Sequence, residues 1–218
     1  MLKRLTYLLV LLAACSFGPG NLQSRHSSDL EARNIRRIAA LSPSVLRGET
    51  AGKAPQGGSL DSRSERDAAE TLARITQSAL GALPRWQIVS DSEVREVART
   101  VPSGADAARL RQIGQMVYAD AVMIGRVSRY RERVGDEWGA KSPASVAFVL
   151  DLIDVRRGDV IWSAHFDETQ KSLSENIFAI GDIGQRGVRW LSADQLMQEG
   201  VKKALAQLHQ IVVRAPAS

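Results

Sequence analysis

Cysteine occurs once in the 218 residues and histidine three times. A single cysteine excludes an intramolecular disulfide, and His26, His165 and His209 are too few for a histidine-rich metal site. No G-K-[ST] occurs, and no GxGxxG directly follows a strand pattern, as a dinucleotide fingerprint requires. The apolar run Leu5–Ala14 holds ten residues, short of the ~20 that cross a bilayer as a helix. What is present is ordinary for a folded domain: 44% hydrophobic and 24% charged residues. A chain of this length forms one domain plus extras and can bury a core without disulfide or metal staples. The formal charge is +5.

Lys3 and Arg4 followed by Leu5–Ala14 have the order of a signal peptide, a basic n-region and then a short apolar h-region. The run closes in Leu12-Ala13-Ala14-Cys15, which resembles the bacterial lipobox. Small residues there admit the peptidase, and the thiol is the acylation nucleophile. The resemblance implies cleavage before Cys15 and a covalent lipid on Cys15 in place of any cofactor. Cleavage removes Lys3 and Arg4 and lowers the formal charge to +3, so no nucleic-acid partner is expected. Two or more acyl chains anchor a protein stably. Ser16 after the cysteine, where inner-membrane lipoproteins often carry Asp, implies the outer membrane with the body on its periplasmic face.

Residues 16–34 are rich in Gly, Pro and Ser and lack apolar periodicity, which predicts a flexible tether. Its nineteen residues reach at most ~65 Å extended and about 25 Å relaxed. The boundaries expected are 1–14 signal peptide, 15–34 lipidated cysteine and tether, 35–213 folded domain and 214–218 tail. In the domain, Ile35–Leu41 reads as a short strand and 46–61 as a loop. Ser62-x-x-Glu65 is a capping box opening a helix with Ala68, Leu72, Ile75, Ala79 and Leu83 on one stripe. Trp86–Val89 is a second short strand. Asp91 caps a helix bearing Val94 and Val97, and Ser103 one bearing Leu110, Ile113, Gly114 and Val117. Ala121–Gly125 is a buried strand whose continuation carries charges on both parities, so its far half is solvated. Ser145–Val155 is apolar on both faces, as in a central strand. Val160, Trp162, Ala164 and Phe166 share one face of the returning strand. A segment at 167–191 holds a short helix near 173–180. Ser192-x-x-Gln195 is another capping box, with Leu191 and Leu196 as its staple, opening a helix whose stripe runs Leu196, Val201, Ala204, Leu205, Leu208, Ile211. The fold class expected is α/β (α+β): a single domain, a mixed sheet of about five strands with an antiparallel three-strand meander, and helices packed on it.

The catalytic constellations fail on spacing. Ser163, His165 and Asp167 alternate along one strand and stand parallel, whereas a triad converges from separate elements. His165, Asp167 and Glu168 contain only one strong zinc ligand. Gly181, Gly184 and Gly187 follow a helix pattern and read as a connector. No catalytic, metal or cofactor-binding residue is expected. The candidate partner contacts are Trp138, in the connection 134–142, and Arg186, Arg189 and Trp190, because Arg and Trp are favoured interface anchors. The Arg126, Arg129, Arg131 and Arg133 series reads as a solvated strand end, with a patch for an acidic polymer as the second reading.

The lipobox, the stretch Ala-Asp-Ala-Val-Met-Ile-Gly-Arg-Val at 119–127, and the strand pair FVLDLIDVRRGDVIWSAHFDET at 148–169 together resemble the fold group of the TolB N-terminal domain, the curli lipoprotein CsgG, the polysaccharide lipoprotein PelC and the synthase activator LpoB. The resemblance covers residues 35–211. It implies a non-enzymatic scaffold or accessory in envelope polymer assembly or export, with a protein partner or self-assembly. The other readings are a tethered regulator of a cell-wall synthase and a periplasmic hydrolase using His165. The connection 134–142 is too short for two membrane-spanning strands of ~9–11 residues, so a pore made by this chain is not expected.

Overall fold

The computed structural model describes residues 21–41, 62–102, 107–135, 140–170 and 190–214. The chain order is β1 (Leu22–His26), β2 (Arg37–Leu41), α1 (Ser62–Gly81), β3 (Gln87–Ile88), α2 (Asp91–Thr100), α3 (Ala107–Met116), β4 (Ala121–Arg131), β5 (Val134–Gly135), β6 (Ala140–Ser142), β7 (Ser145–Asp154), β8 (Val160–Thr169) and α4 (Ala193–Arg214). A six-stranded mixed sheet runs β1-β8-β7-β4-β2-β3, and β5 and β6 form a separate small hairpin. β2 is parallel to β3 and β4. β4, β7 and β8 are the antiparallel meander, and β1 adds antiparallel to β8.

Apolar patterning decides which face each helix covers. The stripe of α4, with Leu196, Val201, Ala204, Leu205 and Leu208 all at most 1% exposed, packs with Leu72 and Ile75 of α1 onto Phe148, Leu150, Trp162 and Phe166. Each such leucine contributes about 2 kcal/mol by burial. The helix start is reciprocally capped: Gln195 N–H donates to Ser192 Oγ (3.2 Å) and Ser192 N–H donates to Gln195 Oε1 (2.9 Å). On the other face, α2 and α3 bury Val94, Leu110 and Ile113 against Ala39, Leu41, Val122 and Ile124. α2 is capped by Ser90, whose side chain accepts from Glu93 N–H, rather than by Asp91. The side chains of the Ser62–Glu65 box and residues 103–106 lie outside the described residues.

The largest departure from expectation is the tether. Residues 22–26 are an edge strand of the sheet, Leu30 is fully buried, and the Arg33 side chain is only 9% exposed. Composition misleads here because an edge strand with one wet face has few apolar residues to show. Among the described residues of this segment only Leu22 and Leu30 are apolar side chains packed into the core, while Gln23 and Arg25 face solvent. The folded body therefore includes residues from Leu22 on, upstream of Ile35, and β1 brings the sheet to six strands. β8 also runs three residues past Phe166. An irregularity opposite Leu152/Ile153 takes Val160 off the Trp162 face and leaves it 50% exposed. The helix expected near 173–180 lies outside the described residues.

Candidate functional site

The helices leave part of the sheet bare. α2 and α3 cover β2 and the first half of β4, with Ile153 and Val155 of the β7 end. Beyond them the same face of β4, β7, β8 and β1 carries polar side chains. A β-bulge builds this face. The β4–β7 register shifts between Val127 and Arg129, leaving Ser128 unpaired. Val127 stands opposite Phe148 on the helix-covered face, whereas Arg126, Arg129 and Arg131 stand opposite Val149, Ala147 and Ser145. One extra residue flips strand parity, so three arginines that straight alternation would divide share one face. Asp167, His165 and Ser163 continue the rows across β8, and Gln23 and Arg25 across β1.

The charges on this face are largely paired. Arg126 donates to Asp151 at 2.5 Å. Arg129 holds Asp167 through its guanidinium and donates from Nε to Ser145 Oγ at 2.6 Å, and that hydroxyl lies 2.6 Å from Thr169 Oγ1. Ser163, His165 and Asp167 stand in parallel on β8, as their spacing predicts; Asp167 binds Arg129, not His165. Among the described residues no group of three His, Cys, Asp or Glu is placed to hold a metal. Donors and acceptors spread over a flat strip suit polar or charged groups of a large partner better than a small enclosed substrate.

At one end of this strip β4 meets the start of α4. Arg133 donates to the Trp190 carbonyl, the Glu132 carboxylate accepts from Ala193 N–H at 3.1 Å, and Tyr130 Oη donates to Asp194 at 2.6 Å. Burial, then the neighbouring Asp194 carboxylate, pushes the Tyr130 phenol above its ordinary range. Trp190 is half-buried, its backbone carbonyl held by Arg133 in the connection between β4 and β5. Trp138, Arg186 and Arg189, the other candidate contacts, lie outside the described residues, as does Cys15. A second ionic cluster ties the chain entry to the β7–β8 turn, and sequence reasoning missed it. Arg33 binds Asp29 (2.8 Å), Asp154 (2.9 Å) and Asp159 (3.0 Å), and Arg157 adds a contact to Asp29. Burial opposes the charge on Asp154, but the Arg157 N–H, the Arg33 guanidinium and the Arg156 N–H outweigh it and hold the carboxyl below its usual range. The Asp29/Arg33 spacing was the available signal. His26 is exposed at the end of β1. His209, expected at the surface, is half-buried with its ring edge-on to Trp86 at 5.8 Å.

An open groove of about 510 Å3 between α1 and α2 is lined by Asp67, Glu70, Arg74, Gln77, Asp91 and Arg95 among others. Arg95 is paired with Asp91 at 2.6 Å, and these walls are the solvated faces of two helices.

No protein-family model and no characterised protein sequence matches this chain. Among solved structures it is similar to the PelC dodecamer from Paraburkholderia phytofirmans, at 15% identity over 86% of this chain and 95% of that one, TM-score 0.45. It is also similar to the LpoB C-terminal domain from Salmonella enterica (17% identity, 63% and 84% covered, TM-score 0.38) and to lipoprotein GNA1162 from Neisseria meningitidis (16% identity, 69% and 96% covered, TM-score 0.36). PelC and LpoB are two of the proteins that the strand pattern resembles. Likenesses this loose leave the function to be read from the chain's own residues.

Proposed function

We propose that this chain is a bacterial envelope lipoprotein, acylated at Cys15 and held on the periplasmic face of the outer membrane. Its domain serves as a non-enzymatic accessory or scaffold in the assembly or export of an envelope polymer. The observation that carries the reading is the position of the only cysteine, directly after Leu12-Ala13-Ala14 at the end of a basic and then apolar leader. The arrangement of the open face supports it. A strip of paired charges and hydroxyls four strands wide offers a contact surface, and His165 stands beside no converging nucleophile or base among the described residues. Partner contacts are assigned to Trp138, Arg186, Arg189 and Trp190, with a protein of the envelope or further copies of the chain as the partner. A regulator that must reach far across the periplasm is disfavoured, because Leu22, seven residues beyond Cys15, is already held in the sheet.

The test is intact-mass analysis of the membrane-extracted protein, with its native mass in mild detergent. The expected product begins at Cys15 and carries acyl mass, and Cys15→Ser leaves the membrane fraction. An unacylated wild-type product would overturn the reading. Turnover of peptidoglycan or polysaccharide that is lost in His165→Ala would overturn its non-enzymatic part.

A further inference from the structure

The six-stranded sheet ends at β3 on one side and at β1 on the other. An edge strand presents unpaired N–H and C=O groups, and proteins blunt it by shortness, proline, lysine, a bulge or a covering element. β3 has two residues and is blunted by its length. β1 has five, without proline or lysine, and its register with β8 runs unbroken. Residues 23–26 are exposed.

The ladder to β8 fixes which groups of β1 point outward. Asn21 accepts through its carbonyl from Asp167 N–H, and Ser27 N–H donates to the Ile161 carbonyl. Alternate residues of an antiparallel strand bond the same neighbour, so residues 21, 23, 25 and 27 turn their main-chain groups to β8. Leu22, Ser24 and His26 turn theirs away from the sheet, and no described residue bonds those groups.

This outward set is symmetric about Ser24. A two-fold axis through that residue lays a second β1 antiparallel to the first. Ser24 then pairs with its copy and Leu22 with His26, and every outward N–H and C=O of both strands finds a partner. Arg25, the strand's one basic side chain besides His26, falls opposite Gln23 and not opposite its copy, so no like charges meet directly. A parallel copy in the same register would set the two Arg25 side chains together. Gln207 of α4, exposed and 2.9 Å from Ser24 Oγ, adds no charge at the edge.

We infer that β1 is a self-association edge, through which two copies of the chain join antiparallel about Ser24 into one continuous sheet. The axis stands perpendicular to the sheet, so the two open polar faces come to lie side by side. The pairing needs no acyl group on Cys15. The test therefore uses the full-length chain carrying Cys15→Ser, in which an introduced cysteine is the only thiol and the outcome is separate from that of the anchor. In the antiparallel pair the two residues at 24 have Cα atoms about 5.5 Å apart, within disulfide reach. The two at 23 lie ~8 Å apart, beyond it. Under mild oxidation Ser24→Cys should give several-fold more linked dimer than Gln23→Cys, which is exposed as well. Sedimentation velocity of the Cys15→Ser chain should show a dimer that grows with concentration. Adding Ser24→Pro should abolish that dimer and keep the fold, checked by circular dichroism, because the N–H it removes points away from β8. If the proline variant does not fold, the contrast between positions 24 and 23 decides alone. Equal linking at the two positions, a monomer at every concentration, or a dimer that survives Ser24→Pro in folded protein would overturn the pairing.

Discussion

Arg33 sits where three acidic side chains meet, and its own side chain is almost removed from water. Removing one partner of a buried ion pair leaves the other uncompensated, at a cost of several kcal/mol. Arg33→Met should therefore lower stability by about 3 kcal/mol, read as a lower urea midpoint; an unchanged midpoint would show the cluster to be incidental. The pH dependence follows from Asp154, whose carboxyl lies below its ordinary 3.8. A lowered carboxylate contributes stability above its unfolded value and loses it as pH falls through the folded value. The stability difference between wild type and Asp154→Asn should be constant at neutral pH and close once the pH drops below 3.8. Gly200 makes a second argument at this scale. A Cβ there would lie 2.8 Å from the Phe166 ring, and that ring is fully buried and stacked on Phe148. Alanine is the better helix former by about 1 kcal/mol, yet overpacking a rigid core costs about 1–3 kcal/mol. Gly200→Ala should thus lower the melting temperature; a higher one would mean the ring can shift.

Among the elements, β1 is the one whose assignment changes the picture of the protein. If residues 16–34 were a free tether, Leu30→Ala would be silent. With Leu30 fully buried in the main core, the same change should cost about 3 kcal/mol, measured by denaturant unfolding. α4 and β7 were legible because their signals are local. A capping box and a 3.6-residue stripe write one helix into consecutive residues, and a run apolar on both faces writes a central strand. β1 gave no such signal, because an edge strand takes its stability from the ladder to β8, more than a hundred residues away. The bulge at Ser128 was hidden for a similar reason. The charges after Gly125 fall on both parities in sequence, and only pairing with β7 shows that one residue is extra and that Arg126, Arg129 and Arg131 belong to one face.

For the whole molecule, β1 decides how much of the N-terminal segment belongs to the folded body. A chain beginning at Asn21 should unfold as wild type does. A chain beginning at Ile35 loses β1, Leu30 and Arg33 together and should be markedly less stable or fail to fold, as circular dichroism and urea unfolding would report. Equal stability of the two would restore the long tether and with it the far-reaching regulator. The candidate site was legible only in outline: its residue types were visible, but the strip depends on which face the helices leave bare.

Composition and local pattern were enough for the α/β class, the meander and the buried stripe of the last helix, because each is set by residues adjacent in the chain. Tertiary structure alone decided that the chain enters the sheet at Leu22, that three arginines share one face and that Arg33 locks the entry segment to the β7–β8 turn. These depend on partners far apart in sequence, where strand register and burial choose among arrangements that local physics leaves equal.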